Sequence, residues 1–149
     1  MELIGTISEI IKHKGAHVWS VTSETTVFDA ITLMADKNVG ALLVLSGDQL
    51  IGIVSERDYT RKVALKGKAS KQTAVREIVS QPMISATPRH TVADCMKLMT
   101  ENRVRHLPVL EGERVVGVVS IGDLVNWIIS TQNATIDQLE NFISGSYPG

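Results

Sequence analysis

The strongest constraint on this 149-residue chain is that part of it occurs twice. Displacing the sequence against itself by 65 residues places Thr26–Val63 on Thr91–Ile128 without a gap, and 14 of the 38 pairs are identical. The most telling stretch is Gly52-Ile-Val-Ser-Glu-Arg-Asp58 against Gly117-Val-Val-Ser-Ile-Gly-Asp123. There Gly52, Val54, Ser55 and Asp58 fall on Gly117, Val119, Ser120 and Asp123. One supersecondary unit used twice is therefore expected. Two copies are too few to stack as a solenoid, so the units should pack face to face.

Within each copy the apolar periodicity changes at the same places. Thr26 and Thr91 read as helix caps, with Asp29 and Asp94 in the positive first turn. Behind them, Val27, Ala30, Ile31 and Met34, and then Val92, Cys95, Met96 and Met99, form one stripe at i, i+3, i+4 and i+7. Cys95 within that stripe reads as a small buried hydrophobe. Ala41–Leu45 and Leu50–Val54 flank Ser46-Gly-Asp48, as His106–Leu110 and Val115–Val119 flank Glu111-Gly-Glu113, and both pairs predict buried hairpins. A further helix should start near Asp58 and near Asp123.

Val18–Val21 supplies a strand ahead of the first copy, and Val75, Ile78 and Val79 begin the return into the second. Each repeat is thus strand, helix, strand, strand, helix, an α/β (α+β) architecture. Leu3, Ile7, Ile10 and Ile11 predict an N-terminal helix closed at Lys14-Gly15. Lys66–Thr73 reads as an exposed linker. Ile136, Leu139, Phe142 and Ile143 mark an amphipathic tail, and Gly145–Gly149 should fray. The expected division is residues 1–65 for the first repeat with its helix, 66–74 for the linker, 75–130 for the second repeat and 131–149 for the helical tail.

Composition removes several functions. The net charge of -1 gives no general attraction to nucleic acid or anionic membrane, so neither partner is expected. No apolar run approaches the roughly 20 residues that cross a bilayer. One cysteine, and an opening without the basic end and apolar run of a secretory signal, point to a cytoplasmic location. His13, His17, His90 and His106 have no metal-site spacing, and no phosphate loop or nucleophile elbow is present. Neither an enzyme nor a metal is expected.

The chemistry then rests on Ser-x-x-Asp at a strand-to-helix junction. A helix N-terminus presents unpaired amides and positive potential. Serine can cap it, and an ionised aspartate can accept hydrogen bonds from the two hydroxyls of a ribose. The alternative is that both residues cap nothing but their own helix, since a duplicated fold would duplicate its caps.

A β-α-β-β-α unit present twice, each hairpin closed by Gly, two apolar residues and Ser-x-x-Asp, resembles the CBS domain. The whole chain is similar to a stand-alone CBS pair, or Bateman module, with pseudo-two-fold symmetry. The resemblance covers roughly Val18–Val63 and Met83–Ile129. It implies a regulatory module that binds an adenosine ligand in two clefts between the repeats. AMP is the first expectation, with ADP, ATP, NAD or S-adenosylmethionine as alternatives. It further implies a homodimer and an effector protein of unknown identity.

Carried onto this sequence, the family pattern puts Ser55 and Asp58 in one cleft with Met83, Ile84, Arg105 and His106. Asp58 would hold the ribose and Ile53 and Ile84 would flank the adenine. Arg105 and His106 would reach the phosphates, with Arg57 and Arg61 nearby. The second cleft would gather Ser120, Asp123, Val118, Val18, Trp19, Gly40 and Ala41. Arg105-His106 aligns with Gly40-Ala41 and Arg57 with Gly122, so the Asp58 cleft is expected to be the charged one, unless Lys14 compensates in the other. The competing expectation is a constitutive scaffold whose clefts are vestigial.

Overall fold

The computed structural model describes residues 5–15, 17–79 and 83–144. Helix α1 (Ile7–Lys14) precedes strand β1 (Ser20–Thr22), helix α2 (Val27–Lys37) and the hairpin β2 (Ala41–Ser46) and β3 (Gln49–Ser55). A short helix α3 (Glu56–Tyr59) follows, continued by a π-helical turn, Thr60–Ala64. The second half holds α4 (Val92–Asn102), the hairpin β4 (His106–Glu111) and β5 (Arg114–Ser120), and α5 (Ile121–Ser144).

The duplication is visible bond by bond. Thr26 Oγ1 accepts from the Asp29 amide at 3.1 Å, and Thr91 Oγ1 from that of Asp94 at 3.0 Å, so the same cap starts α2 and α4. Both hairpins carry a register irregularity at one place, Val44/Leu45 in the first and Val109/Leu110 in the second. Both helices end on a left-handed residue, Asn38 and Arg103.

The two sheets nevertheless differ. The first has three strands, with β1 parallel to β2 and Val21 opposite Val44. The second has two, and its expected first strand is reduced to one bridge between Ala86 and Val109, the aligned pair. Pro108 accounts for this. The Leu43 amide bonds to Trp19 O at 3.0 Å and extends the first ladder, whereas Pro108, at the matching position, has no N–H to give Ile84.

The two repeats interlock in space, because each half is completed by the segment that precedes the other. Val75 and Ile78 open the second repeat in sequence but do not pack with it. They are buried in the first core, with Val27, Ala30, Met34, Leu42, Val44, Val54 and Val63. Ile7 and Ile10 of α1 are buried in the second core, with Val92, Cys95, Met99, Leu107, Val109, Val119 and Leu124. The backbone bonds match in pairs: Ile7 N to His90 O and Val75 N to Thr25 O, Ser8 N to Pro88 O and Arg76 N to Ser23 O. Thr6-Ile-Ser-Glu-Ile-Ile11 is therefore the counterpart of Ala74-Val-Arg-Glu-Ile-Val79. Because the exchange is reciprocal, it keeps the pseudo-two-fold relation of the repeats.

The end of the expected linker is accordingly not exposed: Thr73 is buried, and its carbonyl accepts from the Val27 amide at 2.8 Å. The separate tail expected from residue 131 is instead continuous with α5, a helix of 24 residues. Leu3, the side chains of Ile136, Leu139, Phe142 and Ile143, and Gly145–Gly149 lie outside the described residues.

Candidate functional site

A cleft of about 480 Å³ opens between the two halves. The end of β3 and the start of α3 contribute Ile53, Ser55, Arg57 and Asp58, with Arg61 one turn on. The second half contributes Met83 and Ile84, then Arg103, Val104 and Arg105 from the turn before β4, and His106 and Pro108 from β4 itself. All nine residues expected in this cleft are brought together there.

Ser55 and Asp58 do cap their own helix. The Asp58 carboxylate accepts from the Ser55 amide at 2.9 Å, and Ser55 Oγ accepts from the Asp58 amide at 3.2 Å. That reciprocal pair engages Oδ2, while Oδ1 faces Lys62 Nζ at 3.1 Å. Lys62 also donates to Ile78 O at 2.9 Å, tying the carboxylate to the segment that completes the first core. Capping thus fixes the carboxylate at the cleft wall.

The lining is strongly positive for a chain of net charge -1. Five cations, Arg57, Arg61, Lys62, Arg103 and Arg105, face two carboxylates, Glu56 and Asp58. Desolvation, followed by the neighbouring charges of Arg61 and Arg105, lowers the Arg57 pKa from its ordinary value, so these guanidiniums repel one another. Arg57 Nη1 donates to Arg103 O at 3.4 Å, and Arg103 holds the left-handed conformation, with φ of 55°. That conformation closes α4 as Asn38 closes α2, and it turns the chain toward the cleft. A cleft lined by one sign of charge focuses potential and draws anions.

His106 lines the same cleft but is not one of its cations. Burial is the main cause that holds its pKa below the ordinary 6.5, with Lys14 and Arg105 adding to it against Asp123 and Asp58. The imidazole is therefore neutral near neutral pH, a hydrogen-bonding group between the two aspartates. Gly40, expected in the second cleft, instead lines this one; a Cβ there would lie 3.3 Å from Glu56 Oε1 and 3.5 Å from His106 Nε2.

The second Ser-x-x-Asp repeats the cap, with the Ser120 amide to Asp123 Oδ2 at 2.8 Å and the Asp123 amide to Ser120 Oγ at 3.1 Å. Its carboxylate is paired with Lys14, whose Nζ lies 2.6 Å from Asp123 Oδ2 and donates to Val118 O at 2.9 Å. Trp19 packs against the first core, edge-on to His17 at 5.1 Å and with Lys37 Nζ 4.4 Å from its ring centre. Its described ring contacts are thus with neighbours other than those of Asp123. Val18 is half-buried ahead of β1, and Ala41 opens β2 opposite Ser55.

Cys95 is fully buried in the second core, and burial pushes its thiol up to about 11, so it acts as packing. Among the described residues, no three His, Cys, Asp or Glu side chains are grouped to hold a metal, and no helix is long and apolar enough to cross a membrane.

A family model described as the CBS domain matches residues 3–65 and again 75–130. The chain belongs to the CBS-domain family. This CBS pair is 40% identical over 152 residues to the CBS domain-containing protein CBSX3, mitochondrial, of Arabidopsis thaliana, covering 95% of this chain and 73% of that protein. A solved CBS-domain protein from Burkholderia ambifaria MC40-6 is 47% identical, with a TM-score of 0.82 over 86% of this chain and 96% of that one. A hexameric CBS-CP12 protein from bloom-forming cyanobacteria is 30% identical, with a TM-score of 0.73 over 82% of this chain and 70% of that one. CBS pairs are generally regulatory and often bind adenosine ligands.

Sequence reasoning missed Lys62, Glu56, Asn102, Arg103, Val104 and Pro108 in this CBS cleft. Lys62 was within reach, since i and i+4 share a helix face and Asp58 is four residues before it. Arg103 and Val104 carry no such signal: they reach the cleft through a left-handed turn.

Proposed function

We propose that this CBS pair is a regulatory module that binds an adenosine nucleotide, AMP foremost, in the Asp58 cleft. One observation carries the reading. A fixed carboxylate, apolar walls and several arginines converge in a single cleft to which both repeats contribute. Ribose hydroxyls would donate to Asp58 alongside Lys62, whose second bond goes to Ile78 O, away from the base wall. The adenine would lie between Ile53 and Ile84, and the phosphates would meet Arg57, Arg61 and Arg105. Neutral His106 would donate or accept one hydrogen bond beside them.

Because residues from both halves close on the same ligand, occupancy favours the arrangement of the repeats that binds it better. The consequence passes to an effector protein. A homodimer that covered exposed apolar residues such as Val125 and Ile129 of α5 would give that rearrangement a second subunit to act on.

A thermal-shift titration with AMP, ADP, ATP, NAD and S-adenosylmethionine tests the reading. A ligand at 100 times its dissociation constant stabilises the fold by about 2.7 kcal/mol. Such a shift is expected with at least one of them and should be lost in Asp58→Ala. Silence across the panel in folded, nucleotide-free protein would favour the scaffold reading instead.

A further inference from the structure

The two aspartates that close the hairpins are both paired with lysines, but the lysines come from different places. Lys62 belongs to the same helical segment as Asp58, at i and i+4. Lys14 comes from α1, 109 residues from Asp123 in sequence. Its ammonium contacts both the carboxylate and the carbonyl of Val118, the counterpart of Ile53. One side chain therefore holds the position that matches the ribose site of the first cleft, together with the edge of the matching base wall.

The placement is built rather than incidental. Ile11 packs over Gly117 so closely that a Cβ there would lie 2.5 Å from Ile11 Cδ1. Lys14 is three residues on, on the same face of α1, and this contact delivers it to Val118 and Asp123. In the last turn of a helix a lysine can interact with the helix's own final carbonyls; here its Nζ donates instead to β5 and α5. Asp123 is shielded, with 23% of its side chain accessible.

We propose that Lys14 occupies the place at Asp123 and Val118 where a second nucleoside would sit, and so holds this CBS pair to one nucleotide per chain. With Lys14 withdrawn, the Asp123 cleft would take a ribonucleoside through its two hydroxyls. With Gly122 where the first cleft has Arg57, phosphates gain less there. This inference rests on the reading of the Asp58 cleft only for the count of one.

The test uses full-length protein and calorimetric titration with adenosine and with AMP. Wild type should bind one AMP per chain, and Asp58→Ala should bind no adenosine. Adding Lys14→Met to Asp58→Ala should create one adenosine site per chain, which a further Asp123→Asn abolishes. Thermal unfolding of each variant establishes that it is folded. An adenosine site in Asp58→Ala with Lys14 in place would overturn the proposal. So would no site in the double variant, or a site there that survives Asp123→Asn. Failure of wild type to bind AMP would sink the Asp58 reading alone, because the adenosine arms are decided at Asp123.

Discussion

At the residue scale, His106 has the most consequential environment. Aligned with Ala41, it introduces a titratable ring where the first repeat has a methyl group, and burial holds it below 6.5. Between 6.5 and its folded value, the unfolded chain binds a proton that the folded chain refuses. Its contribution to stability is therefore intact above pH 7 and falls as pH drops below 6.5. Denaturant unfolding from pH 8 to pH 5 should show wild type losing stability faster than His106→Gln; parallel curves would place the ring in water. A bound phosphate opposes this by favouring the imidazolium. The sequence showed that His106 differs from its counterpart, but not its charge, which depends on burial between Asp58 and Asp123 contributed by the two repeats.

Among the elements, α1 and β5 form the contact that carries Lys14 to Asp123. Ile11 lies over Gly117 with the end of its flexible side chain, so Gly117→Ala should cost no more than about 1 kcal/mol, the low end of overpacking. The offending atom is Ile11 Cδ1, which Ile11→Val removes, so the penalty should shrink in that background. Chemical denaturation of the four proteins of this cycle measures the coupling, and additive effects would contradict the packing. Elements with strong local signals were legible: the capped helices α2 and α4, and both hairpins with their glycine turns. Two features were not. The missing strand before α4 depends on a proline in a different strand, Pro108. The helix after β3 gives way to a π-helical turn at Thr60, although its aligned partner continues to Ser144.

For the whole molecule, the decisive feature is that the halves exchange their leading segments. The repeat was legible at a displacement of 65 residues, but the segments beginning at Thr6 and Ala74 are 68 apart, so an ungapped comparison ends before reaching them. Ile78 then reads as the start of the second repeat, although it packs in the first. Ile78→Ala should cost about 2–5 kcal/mol in urea unfolding, as a fully buried isoleucine does. A change within about 0.5 kcal/mol would mean that it is a surface residue.

The same interlocking puts arginines and apolar walls from both repeats around one carboxylate, and the central claim is that this cleft reads the phosphate of an adenosine nucleotide. Calorimetric titration of wild type and Arg57→Ala/Arg105→Ala with AMP and with adenosine tests it most directly. Hydrogen bonds to charged groups contribute about 1.5–3 kcal/mol. Wild type should therefore bind AMP at least about tenfold more tightly than adenosine, and the double variant, which keeps Arg61, should lose most of that preference. Equal affinities in wild type, or a preference undiminished by loss of both arginines, would contradict it.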